Sequence, residues 1–242
     1  MLYKFSIITV TYNSEKTIEQ TIKSVLAQTY QNIEYIIVDG ASTDNTIKII
    51  ERYSELDGRI RYISEKDNGI YDAMNKGIKM ASGDVIALLN SDDYYEIDAV
   101  EKIARCIPEE NNFVVYGMVR FLKRDKEMSV IMHSHYFLPE RMMMHPACFV
   151  SKNVYKEYLY DTRYKSAADY ELFLRLFMDK SITFIPIYEV ITNFRVGGMS
   201  SNTISFLETN GIRYKFGYIS RKKYLTNKIL INFKSNIKKI LK

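Results

Sequence analysis

The chain has 242 residues, 47% hydrophobic and 26% charged, a balance that supports a sizeable core and excludes a disordered chain. Its two cysteines, Cys106 and Cys148, stand far apart, which argues against a disulfide framework or a structural zinc site and for a reducing compartment. The net charge of +5 is uneven: residues 211–242 carry ten Lys and Arg and no acid, leaving residues 1–210 with 24 bases against 29 acids, a net −5. A mildly acidic body joined to a basic tail calls for an anionic surface as the tail's partner. No apolar run approaches the ~20 residues of a spanning helix. The start offers no small-residue cleavage site, so the chain is expected to be neither exported by a signal peptide nor integral to a membrane.

The first half alternates two kinds of segment. Phe5–Thr11 is rich in β-branched residues and reads as a buried strand; Ile18, Ile22, Val25 and Leu26 then recur at helical spacing within 15–28. A second strand over 35–38 ends at Asp39-Gly40, and Ser42-Thr43-Asp44-Asn45 offers caps to a helix over 45–53. A strand over Ile60–Ser64, a helix over 70–81 and a strand over 85–89 follow, the last stopping at Asn90-Ser91-Asp92-Asp93. Such alternation predicts right-handed βαβ units and a parallel, Rossmann-like α/β sheet. Ligands of such sheets bind beyond the carboxyl ends of the strands, where Asp39, Asp92 and Asp93 fall.

The second half is less regular. It shows a hairpin of 113–123 and 128–133 around Arg124-Asp125-Lys126, a helix over 169–178 and a strand over 182–187. With no Pro/Gly-rich linker, the expected division is one body over 1–205, in halves 1–95 and 96–205, and a basic helical tail over 206–242. The methionine run 142–144 and the 20 tyrosines read as packing and surface chemistry.

Adjacent carboxylates at the end of a buried strand repel each other, and burial adds to the cost unless a cation compensates. Asp92-Asp93 therefore suits Mg²⁺ or Mn²⁺ sharing its shell with diphosphate oxygens, where the metal would neutralise a nucleotide leaving group. The same residues suit a helix cap and turn ahead of Ile97. Asp39 is placed to accept from a uracil N3–H, or to serve as a turn residue beside Gly40.

Three strings, 6–13 (SIITVTYN), 24–30 (SVLAQTY) and 36–46 (IIVDGASTDNT), resemble the nucleotide-binding start of family 2 glycosyltransferases, enzymes of the GT-A fold. The runs 67–77 (DNGIYDAMNKG), 81–84 (ASGD) and 89–93 (LNSDD) are similar to a branch that builds bacterial O-antigens and capsules. The resemblance covers about residues 1–200. It implies transfer of a monosaccharide from a nucleotide sugar, a UDP-sugar foremost, to a glycan or polyprenyl-diphosphate-linked acceptor at the inner face of the cell membrane.

The resemblance also assigns roles. Thr11 and Tyr12 line the base and ribose pocket, Asp39 reads uracil, and Gly69, Asp72 and Asn75 shape the ribose–diphosphate wall. Asp92 and Asp93 match the second half of the family's D-x-D element, Asp93 as the metal ligand for Mn²⁺ or Mg²⁺; its first acid is replaced by Asn90. Asp169, in Ala168-Asp169-Tyr170, matches the catalytic-base position, where an inverting transfer needs a carboxylate opposite the leaving diphosphate. His145 is expected beside acceptor or phosphate, and Arg195, in the glycine-bearing stretch 193–201, as a clamp on the diphosphate.

In the tail, Ile229, Leu230, Phe233, Ile237, Ile240 and Leu241 share one helical face, with Lys228, Asn232, Ser235, Lys238, Lys239 and Lys242 largely elsewhere. Such a helix suits the interface of an anionic bilayer, and equally a dock on the body or on a second subunit. Rival readings explain less. A sugar-nucleotide nucleotidyltransferase needs a Gly-rich basic loop after the first strand, and a dehydrogenase needs G-x-G-x-x-G there; Thr11-Tyr12-Asn13-Ser14 is neither. A nucleic-acid binder using the tail leaves the acids at 39, 92–93 and 169 unexplained, so no nucleic-acid partner is expected. Processive synthases of the family carry a Gln/Arg-Trp element; this chain has no Trp, which implies one sugar per acceptor.

Overall fold

The computed structural model describes residues 3–197 and 203–240, with side chains of the last helix described as far as residue 235. Gly198, Met199, Ser200 and Ser201 lie outside the described residues, as do the side chains of Ile237, Lys238, Lys239, Ile240, Leu241 and Lys242.

The first half runs β1 (Phe5–Thr11), α1 (Ile18–Leu26), β2 (Ile33–Asp39), α2 (Thr46–Leu56), β3 (Ile60–Ser64), α3 (Ile70–Met80) and β4 (Val85–Leu88). The strands lie in the order β3-β2-β1-β4 and are all parallel, as the alternation predicts. Their side chains divide with period 2. Phe5, Ile7, Tyr35, Ile37, Val85 and Ala87 face α1 and α2, while Ile8, Val10, Ile36, Val38, Ile86 and Leu88 face α3. Gly77 lets α3 lie close on β1, because a Cβ there would collide with Ile8 Cγ2.

The second half runs β5 (Tyr94–Tyr95), α4 (Ala99–Ala104), β6 (Phe113–Lys123), β7 (Lys126–Ile131), β8 (Cys148–Ser151), α5 (Lys152–Glu157), α6 (Ala168–Met178) and β9 (Thr183–Arg195). It extends the sheet as β4-β8-β6-β9-β5, with β7 beside β6. Here the sheet becomes mixed, beyond the parallel pairing that the first half predicts. Only β6/β9 is parallel; β4/β8, β6/β8, β6/β7 and β5/β9 are antiparallel. The β6–β7 turn places Arg124 and Asp125 at φ 51° and 58°, the left-handed pair that a tight hairpin demands.

Strand β9 extends eight residues past the expected end at 187. Pro186 cannot donate to a ladder, but the register against β6 shifts just beyond it, between Tyr116 and Val119, so pairing resumes through Val190 to Arg195. Arg195 thus sits on a strand end and not in a loop.

Two helices follow, α7 (Thr203–Lys215) and α8 (Arg221–Ile240). Helix α7 runs across residues 205–206, and its Ile212 is fully buried in the cluster beneath α3, α5 and α6. No described helix is long and apolar enough to cross a membrane.

Candidate active site

Two groups of residues gather at the carboxyl ends of the parallel strands and at the start of α6. In the first, Thr11 and Asp39 are register partners across β1 and β2. Asp39 is fully buried; its carboxylate accepts from Ser42 N (3.0 Å), Ser42 Oγ (2.5 Å) and Ser64 Oγ (2.6 Å). Thr11 Oγ1 is buried without a partner, whereas Tyr12 is 62% exposed. The loops after β1 and β2 brace each other. Asn13 N donates to Ser42 Oγ (2.8 Å), Thr43 N to Asn13 Oδ1 (2.8 Å) and Glu15 N to Asp44 Oδ2 (3.1 Å). The Ser42–Asn45 stretch therefore ties two loops together, and Asn45, the residue preceding α2, makes no side-chain cap.

The acid turn is held from several sides. Thr21 Oγ1 of α1 donates to Ser91 O (3.1 Å) and Asp93 O (2.6 Å), and Ser14 and Ser91 hydroxyls meet at 2.9 Å. Beyond the turn, Tyr94 and Tyr95 pair with Asn193 and Thr192 of β9, which brings Arg195 back onto it. Arg195 N donates to Asp93 Oδ1 (3.2 Å) and Arg195 Nη1 to Asp92 O (2.7 Å). The guanidinium lies over the Tyr94 ring, donates to Gln20 Oε1 and faces Asp125 at 3.6 Å.

Asp93 is fully buried, and its Oδ2 has no partner. Burial, then repulsion from Asp92, push its carboxyl well above the usual range, with Arg195 and the Asn90 side chain pulling the other way. Burial likewise raises Asp92 against the pull of Arg195. Among the described residues no three His, Cys, Asp or Glu are grouped to hold a metal ion, so a cation at Asp92 and Asp93 would have to take the rest of its shell from a ligand. An orphaned carboxylate oxygen beside a second carboxylate fits a hard divalent cation.

The second group surrounds Asp169, at the start of α6 and half-buried. Its Oδ1 accepts from Tyr71 OH (3.1 Å) and Tyr170 N (2.9 Å). Tyr71, on α3, stacks on Tyr160 at 5.6 Å, and Tyr160 OH meets His145 Nε2 at 2.7 Å. His145 is 8% exposed, edge-on to Phe173; burial lowers its pKa against the upward pull of Asp169, so it is neutral near pH 7. Asn75 brackets the backbone of Tyr160, with Nδ2 donating to its carbonyl (2.9 Å) and Oδ1 accepting from its N–H (3.0 Å).

The structure thus brings Asp92, Asp93 and Arg195 together in one group, and Asn75, His145 and Asp169 in another. Gly69 and Asp72 shape the start of α3. Gly69 takes φ 113°, a conformation that favours glycine, and Asp72 Oδ2 accepts from Asn68 N (3.0 Å). This turn faces Thr162, Tyr164 and Lys165 across a shallow cleft.

Two residues of the site lie inside quoted motifs without having been singled out. Tyr71 stands four residues before Asn75, so both share the buried face of α3, a spacing that could have flagged it. A Cβ on Gly40 would lie 3.1 Å from Asp67 Oδ2 and 3.5 Å from Tyr12 Cδ2, so Asp67 borders the Tyr12 loop. Only the fold reveals that closeness.

Comparison with known proteins identifies the family. The model of glycosyl transferase family 2 matches residues 6–182. A PGL/p-HBAD biosynthesis glycosyltransferase of Mycobacterium bovis is 30% identical over 204 residues, 83% of this chain and 80% of its own length. An uncharacterized glycosyltransferase of Haemophilus influenzae is 28% identical over 95% of this chain and 76% of its own. Among solved structures, S. aureus TarS 1–349 in complex with UDP-GlcNAc aligns with a TM-score of 0.70 at 19% identity, covering 93% of this chain and 70% of that one. A mannosyltransferase from Pyrobaculum calidifontis in complex with GDP-Man and Mn²⁺ aligns at 0.69 and 16% identity, over 96% and 70%. The chain belongs to glycosyl transferase family 2 and is a glycosyltransferase of the GT-A fold.

Proposed function

We propose that the protein moves one monosaccharide per reaction, with inversion, from a UDP-sugar to a glycan or lipid-linked glycan acceptor, in the building of a cell-surface polysaccharide of the O-antigen or capsule kind. The observation that carries this reading is the buried Asp93 Oδ2, partnerless beside Asp92 at the rim of the parallel strands. UDP-GlcNAc in TarS and GDP-Man with Mn²⁺ in the mannosyltransferase support a nucleotide-sugar donor and a divalent ion.

Asp93, with Asp92, would hold Mn²⁺ or Mg²⁺, which when bound supplies positive charge to the diphosphate leaving group. Thr11 Oγ1 is free to bond the nucleoside, and the exposed Tyr12 ring offers it a stacking face. Asp39, fixed by Ser42 and Ser64, accepts from the uracil N3–H with a remaining lone pair. Gly69 and Asp72 set the α3 turn that walls the ribose and diphosphate, and Asn75 supports that wall from behind through Tyr160. Arg195 exchanges its exposed contact with Asp125 for a diphosphate oxygen.

On the acceptor side, both partners of Asp169 engage Oδ1, leaving Oδ2 to take the proton. As the bond from C1 to the diphosphate oxygen breaks, the acceptor oxygen bonds C1 from the opposite face and its proton passes to Asp169. His145 acts one step removed, holding Tyr160 under Tyr71.

Calorimetry of UDP with Mn²⁺ tests the reading. Asp93→Asn is expected to abolish metal-dependent binding, and unchanged affinity would remove Asp93 from the metal site. A panel of UDP-, GDP- and dTDP-sugars scored by donor hydrolysis then identifies the donor.

A further inference from the structure

Helix α8 has two unlike long faces. Tyr224, Asn227, Ile231 and Ser235, its half-buried positions, recur at helical spacing and turn towards α7. Asn210 Nδ2 donates to Tyr224 O (2.9 Å), Asn227 Nδ2 to Asn210 Oδ1 (2.9 Å), and the Tyr214 and Tyr224 rings stack at 4.8 Å. The opposite face carries Leu225, Ile229, Leu230 and Phe233, between 47% and 69% exposed. Leu230, at the edge of this stripe, also lines a groove against Phe206 and Arg213 of α7, while Leu225, Ile229 and Phe233 join neither core cluster among the described residues; such an outward apolar stripe marks an interaction surface. Cations flank the stripe: Arg221 and Lys228 along one edge, Lys223 and Lys234 along the other, with Lys222 in its midst, all exposed. No acid occurs anywhere in residues 211–242. A protein partner would normally present both signs, whereas a wholly cationic rim around an apolar stripe complements anionic headgroups over acyl chains.

We propose that the outer face of α8 lies in the plane of an anionic bilayer surface, with Leu225, Ile229, Leu230 and Phe233 immersed and the flanking Lys and Arg on the headgroups. Helix α7 passes this placement to the site. Glu208 accepts from Lys165 N (2.7 Å) and Ser166 N (2.9 Å), immediately before α6, and Lys215 pairs with the buried Glu171 of α6 at 3.0 Å. A bilayer on α8 therefore fixes the height of Asp169 above the surface. Resting on the transferase reading above, this suits an acceptor anchored in the same membrane, at its inner face.

The test uses the full chain and sedimentation with vesicles of phosphatidylcholine alone or mixed with phosphatidylglycerol. The parent is expected to bind the anionic vesicles at least about tenfold better than the neutral ones. Ile229→Glu with Phe233→Glu is expected to reduce that binding by about tenfold or more, with the thermal midpoint and donor hydrolysis in solution unchanged, because both side chains point outward. Equal binding of parent and variant overturns the proposal. So does a parent dimer, seen by light scattering, that the same pair of substitutions dissolves, since the stripe would then cover a second copy. Vesicle binding that persists in a parent inactive towards every donor still supports this surface, and strikes only the transferase reading.

Discussion

The acid turn and the start of α6 each present an aspartate at the end of a regular element, in opposite settings. Asp93 is fully buried, next to a like charge, with an oxygen that nothing in the protein satisfies. Asp169 is half-exposed, and a tyrosine hydroxyl and a backbone N–H hold one of its oxygens. The first setting is unfavourable unless positive charge compensates it; the second orients a carboxylate and leaves its other oxygen unpaired. A carboxylate's role is set less by its position on the chain than by which of its oxygens the fold leaves unpaired.

The largest test of this contrast is Asp169→Asn. Transfer is expected to fall ~100-fold or more while UDP affinity holds, the scale of a lost general base. Near-normal turnover would place the base elsewhere and break the comparison.

The second test asks what keeps the parallel half rigid beneath the acid turn. At the other end of the same strands, Glu34 binds Ser6 Oγ (2.5 Å), Ser82 N and Oγ (2.5 and 2.7 Å) and Lys4 Nζ (3.1 Å). Burial works to raise its pKa, but these bonds outweigh it and hold the carboxyl at about 2. A depressed carboxylate stabilises fully above its unfolded value, near 4.5, and loses that contribution as pH falls towards 2. Glu34→Gln is expected to lower stability by on the order of 3 kcal/mol at pH 7. Urea unfolding should show the gap from the parent closing between pH 4.5 and 2; a gap independent of pH would mean that the charge is irrelevant.

Smaller effects sharpen the Asp169 side. Asn75→Ala leaves both backbone groups of Tyr160 unpaired and is expected to cost about 1–3 kcal/mol in urea unfolding. Tyr71→Phe removes one hydrogen bond to Asp169. It should lower kcat by about threefold to tenfold and leave KM for the donor unchanged, the scale of ~1 kcal/mol. An unaltered kcat would reduce Tyr71 to packing.

The parallel half was legible because its strands are continuous apolar runs and its helices carry clear stripes. Ile18, Ile22 and Val25 are all buried, as their spacing implies. The second half was harder. Strand β9 hid behind Pro186, whose fit depends on a register shift against a strand some seventy residues earlier, and no local pattern encodes that. Motif reading singled out Asp92, Asp93 and Asp169, but it could not foresee that Asn75 turns its amide to Tyr160 or that the Arg195 guanidinium reaches Gln20 and Asp125. Those contacts join elements distant in sequence, through side chains equally suited to a ligand.

The pairing of Tyr94–Tyr95 with β9, and of Arg195 with the acid turn, has a consequence for biosynthesis. A nascent chain can lay down β1 to β4 early, since each crossover is local. The turn that follows β4 stays open on one side until residue 195 has left the ribosome. Closure of the acid turn therefore depends on a strand about a hundred residues further along the chain, and cannot precede its synthesis.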